Sequence, residues 1–251
     1  MTKNKDWNNW SWQEQNVITK PEQLAEYFPN IKKEYFKGLF SENLLVKITP
    51  YILHQIPEDI SPEKLEKNPW FLQFFPLGKL YKEKADSYKK GENWEKNEEF
   101  PTSNIHHKYT NRALIRLSNC LGHCNFCFEF MRVLEKNKPI FKKFLWGDWK
   151  KSLEYIEKHP EIEEVVLSGG EPLLLSDEKL DSILSDIRKI KNSEGKPKIK
   201  FIRIHTRALT HNPFRVTTSL IKILKKNKVN CIIFDVVHPC EINNEFLKAV
   251  K

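Results

Sequence analysis

From Arg112 to Lys251, short strand-type apolar runs alternate with amphipathic stretches of helical period, and this alternation narrows the possible architectures more than anything else in the chain. RALIRLS (112–118) reads as a strand with Ala113, Ile115 and Leu117 on one face. EEVVLSGG (163–170) is a buried-type strand that ends in two glycines. SDEKLDSILSDIRKI follows it with Leu180, Ile183, Leu184, Ile187 and Ile190 at helical spacing, and Ser176 is its natural N-cap. KIKFIRIHTRAL (198–209) alternates like a third strand. It leads into TTSLIKILKKNK, where Thr217 or Thr218 caps a helix with Leu220, Ile221, Ile223 and Leu224 apolar. KVNCIIFDVVHP (228–239) is a fourth strand, and EINNEFLKAVK begins a fourth helix. Successive βα units imply a parallel sheet with right-handed crossovers. Ligands of such sheets gather at the carboxyl ends of the strands.

At the first of those ends stands NCLGHCNFCFEF, with Cys120, Cys124 and Cys127 in C-x3-C-x2-C spacing. Three thiolates within eight residues can hold one face of a metal centre and leave it one protein ligand short. Iron–sulfur cubanes usually take four cysteines, so the missing one marks a position for a substrate or cofactor, as in catalytic zinc sites. The chain has five cysteines, with Cys231 and Cys240 completing the set, and MTKNKDWNNW holds no apolar stretch to serve as a signal peptide. An odd count in such a chain argues against a disulfide framework. From the triplet alone a zinc site of three cysteines and one histidine, with His123, His106 or His107 as fourth ligand, stands as the competing reading.

Before residue 105 the sequence predicts a mostly helical segment. ITKPEQLAEYF offers Thr19 as N-cap, Pro21 in the first turn and Glu22 three residues on, a capping-box arrangement, and SPEKLEK repeats it with Ser61 and Pro62. Trp7, Trp10 and Trp12 are spaced for packing. YKEKADSYKKGENWEKNEEF (81–100) reads as a charged, solvated connection. The resulting division is 1–105, a helical arm with its connection, and 106–251, the βα part. The net charge of +9 could suit a nucleic acid, but the lysines are scattered among acidic residues instead of forming a stripe, which argues against that partner. No apolar run approaches the ~20 residues needed to span a bilayer, so no membrane partner is expected.

The cysteine run, joined to a following strand that ends in SGGEP, resembles the radical SAM superfamily. The wider match resembles its lysine 2,3-aminomutase family, through WNNWSWQEQNVITKPEQLAEYF, ITPYIL, HKYTNRALIRLS, VVLSGGEPLLLSDEKL, IRIHTR and VHPCEI. The resemblance implies an α/β fold, a partial radical SAM (β/α) barrel with an N-terminal mostly helical extension. It implies that Cys120, Cys124 and Cys127 hold a [4Fe–4S] cluster whose open iron takes S-adenosylmethionine. It places Phe126 against the adenine, Gly169 and Gly170 beside the methionine end, Glu171 at the ammonium group, Arg207 near the carboxylate and His238 among the cofactor contacts. Pyridoxal phosphate is a further family cofactor, and HKYTNR puts Lys108, Tyr109 and Arg112 at its phosphate. The implied reaction is migration of an amino group between adjacent carbons of an amino acid. The implied partners are that substrate, a reducing protein such as ferredoxin or flavodoxin, and a second copy of the chain, all in the cytoplasm.

The sequence departs from the family in two places. Glu129 stands where the family carries an arginine for the substrate carboxylate, with Arg132 three residues on. The stretch after Cys120 holds about four βα units at roughly 31 residues each, against six in a radical SAM barrel, and it stops before the region of the pyridoxal lysine. Two other readings stay open at this stage: a radical SAM protein that works without pyridoxal, in the manner of the glycyl-radical activases, and a non-catalytic protein that uses its three cysteines to bind zinc or serves only in interactions.

Overall fold

The computed structural model describes residues 5–40, 46–80, 82–83, 101–102, 104–117, 119–122, 124–127 and 149–251. The charged run 81–100 lies almost wholly outside the described residues, as do His123, Glu129 and Arg132. A five-stranded sheet runs in chain order β1 (Ile105–Tyr109), β2 (Arg112–Arg116), β3 (Glu164–Ser168), β4 (Phe201–Thr206) and β5 (Cys231–Phe234). The last four are parallel, as the βα pattern predicts. β1 is an addition. It pairs antiparallel with β2, Tyr109 opposite Arg112, so HKYTNR forms the corner of a hairpin.

The register explains the layers. Ile115, Leu167, Ile204 and Ile232 align across β2 to β5, as do Ala113, Val165 and Ile202 across β2 to β4. Except for Ile232, all of these join one apolar core with Ile156, Leu180, Ile183, Leu184, Ile187 and Leu220. Those partners come from α7 (Trp149–Lys158), α8 (Asp177–Lys189) and α10 (Thr218–Lys226). One sheet face is thus covered by helices. The intervening residues Arg112, Glu164, Arg203 and His205 point to the other face, where Glu164 bridges Arg112 at 2.7 Å and Arg203 at 2.8 Å. Ser176 caps α8 by accepting from the Lys179 amide, and Thr217 caps α10 by accepting from Leu220. Two cations close helix ends: buried Lys198 donates to the carbonyls of Ile156 and His159, and half-buried Arg188 to that of Asn227, satisfying carbonyls that a helix end leaves without partners.

The N-terminal residues form α1 (Trp10–Gln15), α2 (Leu24–Tyr27), α3 (Lys33–Leu39), α4 (Pro50–Leu53), α5 (Pro62–Leu65) and α6 (Pro69–Phe74) around a second, aromatic-rich core. The predicted box at Thr19 is shifted by one residue. Gln23, not Glu22, reaches back, its Oε1 accepting from the amides of Thr19 and Lys20, while Glu22 pairs with Lys37. α9 (Ala208–His211) and α11 (Asn244–Val250) complete the chain.

Arg215 fastens this layer to the βα part. It is 1% exposed, donates to the carbonyls of Leu173 and Leu175, pairs with Asp177 at 2.8 Å and lies 4.4 Å over the Trp10 ring. Trp7 packs instead on Trp12 and His54. Arg215→Met would leave a carboxylate and two carbonyls without their donor. It is expected to cost about 3–5 kcal/mol in urea unfolding. Beside Arg215, burial pushes the Glu14 carboxyl up from 4.5 to about 8, with the Arg215 charge opposing. A raised acid favours the folded state while protonated, so its contribution is complete below pH 4.5 and is lost as pH climbs through 8. Between about pH 5 and pH 9 the melting temperature of wild type should therefore fall further than that of Glu14→Gln.

Candidate functional site

The carboxyl ends of β2 to β5 open into a cavity of about 610 Å³. Its wall carries all three cysteines of the loop after β2, the glycine turn after β3, His205, Thr206 and Arg207 at the end of β4, and Phe234 to Val237 at the end of β5. The site expected from the βα pattern is therefore one place in space.

The described residues of the cysteine loop form no helix or strand, and contacts at both sides dictate their position. At β3, Gly169 takes φ +86°, and a Cβ on Gly170 would fall 2.3 Å from the Asn119 carbonyl oxygen. The two glycines let the cysteine loop lie directly on the strand end, where the Glu171 amide donates to Asn119 at 2.6 Å. On the other side Asn125, buried, donates from Nδ2 to the carbonyls of Leu72 and Phe75 at the end of α6 and from its amide to Gln73. Lys47 donates to the Cys120 carbonyl at 3.0 Å.

All five cysteines are free thiols. Burial pushes the Cys120 thiol far above its usual range and the Cys124 thiol up to about 12, with the Arg207 charge opposing at Cys124. The neighbouring thiols add to both shifts, Cys127 acting on each of the other two. Among the described residues no three His, Cys, Asp or Glu side chains converge to hold a metal ion in this conformation. The donor set nonetheless suits iron and sulfide: three soft ligands on one short loop, facing one cavity, whose protons a metal would displace.

Glu171 is buried, with Oε1 accepting from the Thr206 hydroxyl at 2.6 Å and the Leu173 amide at 2.9 Å, and Oε2 from the Arg207 amide at 2.8 Å. Burial raises its pKa and these hydrogen bonds oppose the rise. Arg207 pairs with Glu241 at 2.6 Å and points Nη1 at the Cys124 sulfur at 3.6 Å. Its guanidinium lies 4.6 Å from the Phe126 ring and 5.1 Å from that of Phe74. Its Nε is buried without a protein partner.

The remaining predicted residues lie elsewhere. His238 caps the turn Pro239–Glu241, accepting from the Cys240 amide at 3.2 Å, and does not line the cavity. Lys108, Tyr109 and Arg112 are at the hairpin corner, at the opposite end of β2 from the cysteines. Tyr109 is 60% exposed and Arg112 is committed to Glu164. The Arg112 guanidinium lies 5.8 Å from the centre of the Tyr109 ring.

Four titratable residues in or beside the cavity escaped the sequence reading. His205 and Asp235 could have been found, since alternation along β4 puts 203, 205 and 207 on one face and Asp235 ends the next strand. The His205 Nε2 is buried without a partner, and burial lowers its pKa while Asp235 opposes. His211, 3.3 Å from the Cys124 sulfur, and Glu241, fully buried, leave no such trace.

Residues 114–251 match the radical SAM superfamily. The chain is 32% identical over 98% of its length to the L-lysine 2,3-aminomutase of Methanococcus maripaludis, covering 54% of that protein. It is 31% identical over 97% of its length to the glutamate 2,3-aminomutase of Clostridioides difficile, covering 54%, and 30% identical over 97% to the L-lysine 2,3-aminomutase of Haemophilus influenzae, covering 68%. Apart from the last, the chain spans about half the length of these curated relatives.

Gly170→Ala should displace the cysteine loop and cost about 1–3 kcal/mol. A lower melting temperature and less iron bound after reconstitution would register it. Gly38→Ala, in α3 with nothing within 4 Å of the new methyl, should instead stabilise by about 0.5–1 kcal/mol.

Proposed function

Because the chain belongs to the radical SAM superfamily, within the lysine 2,3-aminomutase family, we propose that it binds a [4Fe–4S] cluster on Cys120, Cys124 and Cys127 and cleaves S-adenosylmethionine reductively. The observation that carries this reading is the placement of all three cysteines on the wall of the cavity that the glycine turn and the ends of β4 and β5 also line. Bound there, the cluster and adenosylmethionine supply one-electron cleavage of a carbon–sulfur bond, which starts hydrogen-atom abstraction from the substrate.

The chain's own residues then have definable tasks. The three thiols give up protons to bind iron, which burial makes unfavourable until the metal is present. Glu171, fixed by three donors, offers a preorganised carboxylate to the ammonium group of adenosylmethionine. Arg207 Nε is the donor left over for the carboxylate. Phe126 supplies a ring face for the adenine while the other face-on contact of Arg207, Phe74, stays with the arm. Phe234, Val236 and Val237 keep the rim apolar and exclude water.

The reaction we assign is amino-group migration between adjacent carbons of an amino acid, supported by relatives named for lysine and for glutamate. A reducing protein such as ferredoxin or flavodoxin would deliver the electron. No step of this reading is routed through pyridoxal phosphate, whose phosphate Lys108, Tyr109 and Arg112 at the hairpin corner would meet. No described helix is long and apolar enough to cross a membrane.

The test is anaerobic reconstitution with iron and sulfide, reduction with dithionite and assay for 5′-deoxyadenosine, with L-lysine or L-glutamate present to detect the β-amino product. Wild type should form 5′-deoxyadenosine, and Cys124→Ala should lose both the visible absorbance of the cluster and that product. Retention of both by Cys124→Ala would overturn the assignment.

A further inference from the structure

We propose that Arg207 and His211 raise the reduction potential of the cluster by donating hydrogen bonds to one of its ligands, the Cys124 sulfur. The inference rests on the reading that Cys120, Cys124 and Cys127 hold the cluster.

Two nitrogens reach this sulfur, His211 Nε2 at 3.3 Å and Arg207 Nη1 at 3.6 Å, both within hydrogen-bond reach of sulfur; Arg207 donates, and His211 donates as its Nε2–H tautomer, the one the proposal requires. They come from opposite ends of a single helical turn. Arg207 is the N-cap of α9 and His211 its last residue, and the His211 amide donates to the Arg207 carbonyl. Positions four apart lie side by side on a helix, so one turn presents both donors to the same atom.

Neither donor is free to swing away. Arg207 is held at Nη2 by the fully buried Glu241 and packed against Phe126 and Phe74. His211 is 4% exposed and edge-on to Phe74 at 4.9 Å, and its carbonyl accepts from the Thr49 hydroxyl at 2.7 Å. Gly122 of the cysteine loop lies so close that a Cβ there would sit 2.4 Å from the imidazole. The loop has given up a side chain where the ring presses on it.

A cysteine ligand carries negative charge, and a one-electron reduction of the cluster increases it. Donors that point at the sulfur stabilise the reduced form more than the oxidised form, and the guanidinium charge acts in the same sense. Removing either donor should make the cluster harder to reduce. A cluster that must accept an electron before it can act has a direct use for such donors.

The experiment is a dye-equilibrated redox titration of the reconstituted full chain without adenosylmethionine, followed by the paramagnetic resonance signal of the reduced cluster, with iron and sulfide content measured on the same samples. Arg207→Gln and His211→Leu should each lower the reduced-to-oxidised ratio at fixed potential about tenfold, about 59 mV for one electron. His211→Gln, which keeps an N–H donor, should restore most of the wild-type value. A loss of structure alone would change cluster content without moving the midpoint. If Arg207→Gln and His211→Leu hold full clusters and titrate within twofold of wild type, the proposal is wrong. Should neither hold a cluster, His211→Phe, which keeps a ring against Phe74 but no donor, decides: a shift of twofold or more in the same direction supports it and no shift overturns it. If wild type assembles no cluster at all, the cluster-binding reading fails first and this inference falls with it.

Discussion

Two buried carboxylates hold the carboxyl ends of the parallel strands together. Glu171 follows β3 and receives the Thr206 hydroxyl and the Arg207 amide from the end of β4. Glu241 follows β5 and receives the Arg207 side chain, the Thr210 hydroxyl and the amides of Val237 and His238. A buried charge left unpaired would cost several kcal/mol, so each carboxylate forces its donors into place. Arg207 contributes to both, its backbone to Glu171 and its side chain to Glu241. That single residue fixes the relative position of three strand ends, and the cavity is the space they enclose.

The sheet itself accounts for why polar groups collect there. Its helix-covered face spends the apolar positions of β2 to β4 on one core. Alternation then leaves Arg112, Glu164, Arg203 and His205 on the opposite face, where Glu164 neutralises part of the positive charge. At the carboxyl ends the backbone can no longer satisfy itself in the ladder, so side chains and turns must do it. The result is a set of donors and acceptors fixed before any ligand arrives, the condition under which electrostatic stabilisation is most effective.

What the sequence could reveal followed the range of the interactions involved. The periodic strands and helices, and the caps Ser176 and Thr217, depend on neighbours a few residues apart and were legible. The hairpin strand β1 was not, because HHKY carries no apolar alternation and is held by pairing with β2. At the amino end Glu22 and Gln23 both suit a capping box, and only the structure distinguishes them. Within the site, the cysteines and SGGEP announced themselves. Asn125, His211 and Glu241 act on partners 50 or more, 87 and 34 positions away, and their residue types are common in ordinary turns.

Those distant contacts also change how the first hundred residues are understood. A helical appendage would leave the site intact if removed, yet its residues touch the site at four points. The end of α6 receives Asn125 of the cysteine loop, and Lys47 holds the Cys120 carbonyl. Phe74 packs against both Arg207 and His211, and Thr49 bonds the His211 carbonyl. The cysteine loop has β3 on one side only. Its other side is the carbonyl end of α6, whose unsatisfied acceptors need a donor as much as the loop needs an anchor. Asn125 meets both needs with one side chain, so the N-terminal layer backs the wall of the site and shares with the sheet the anchoring of the cysteine loop.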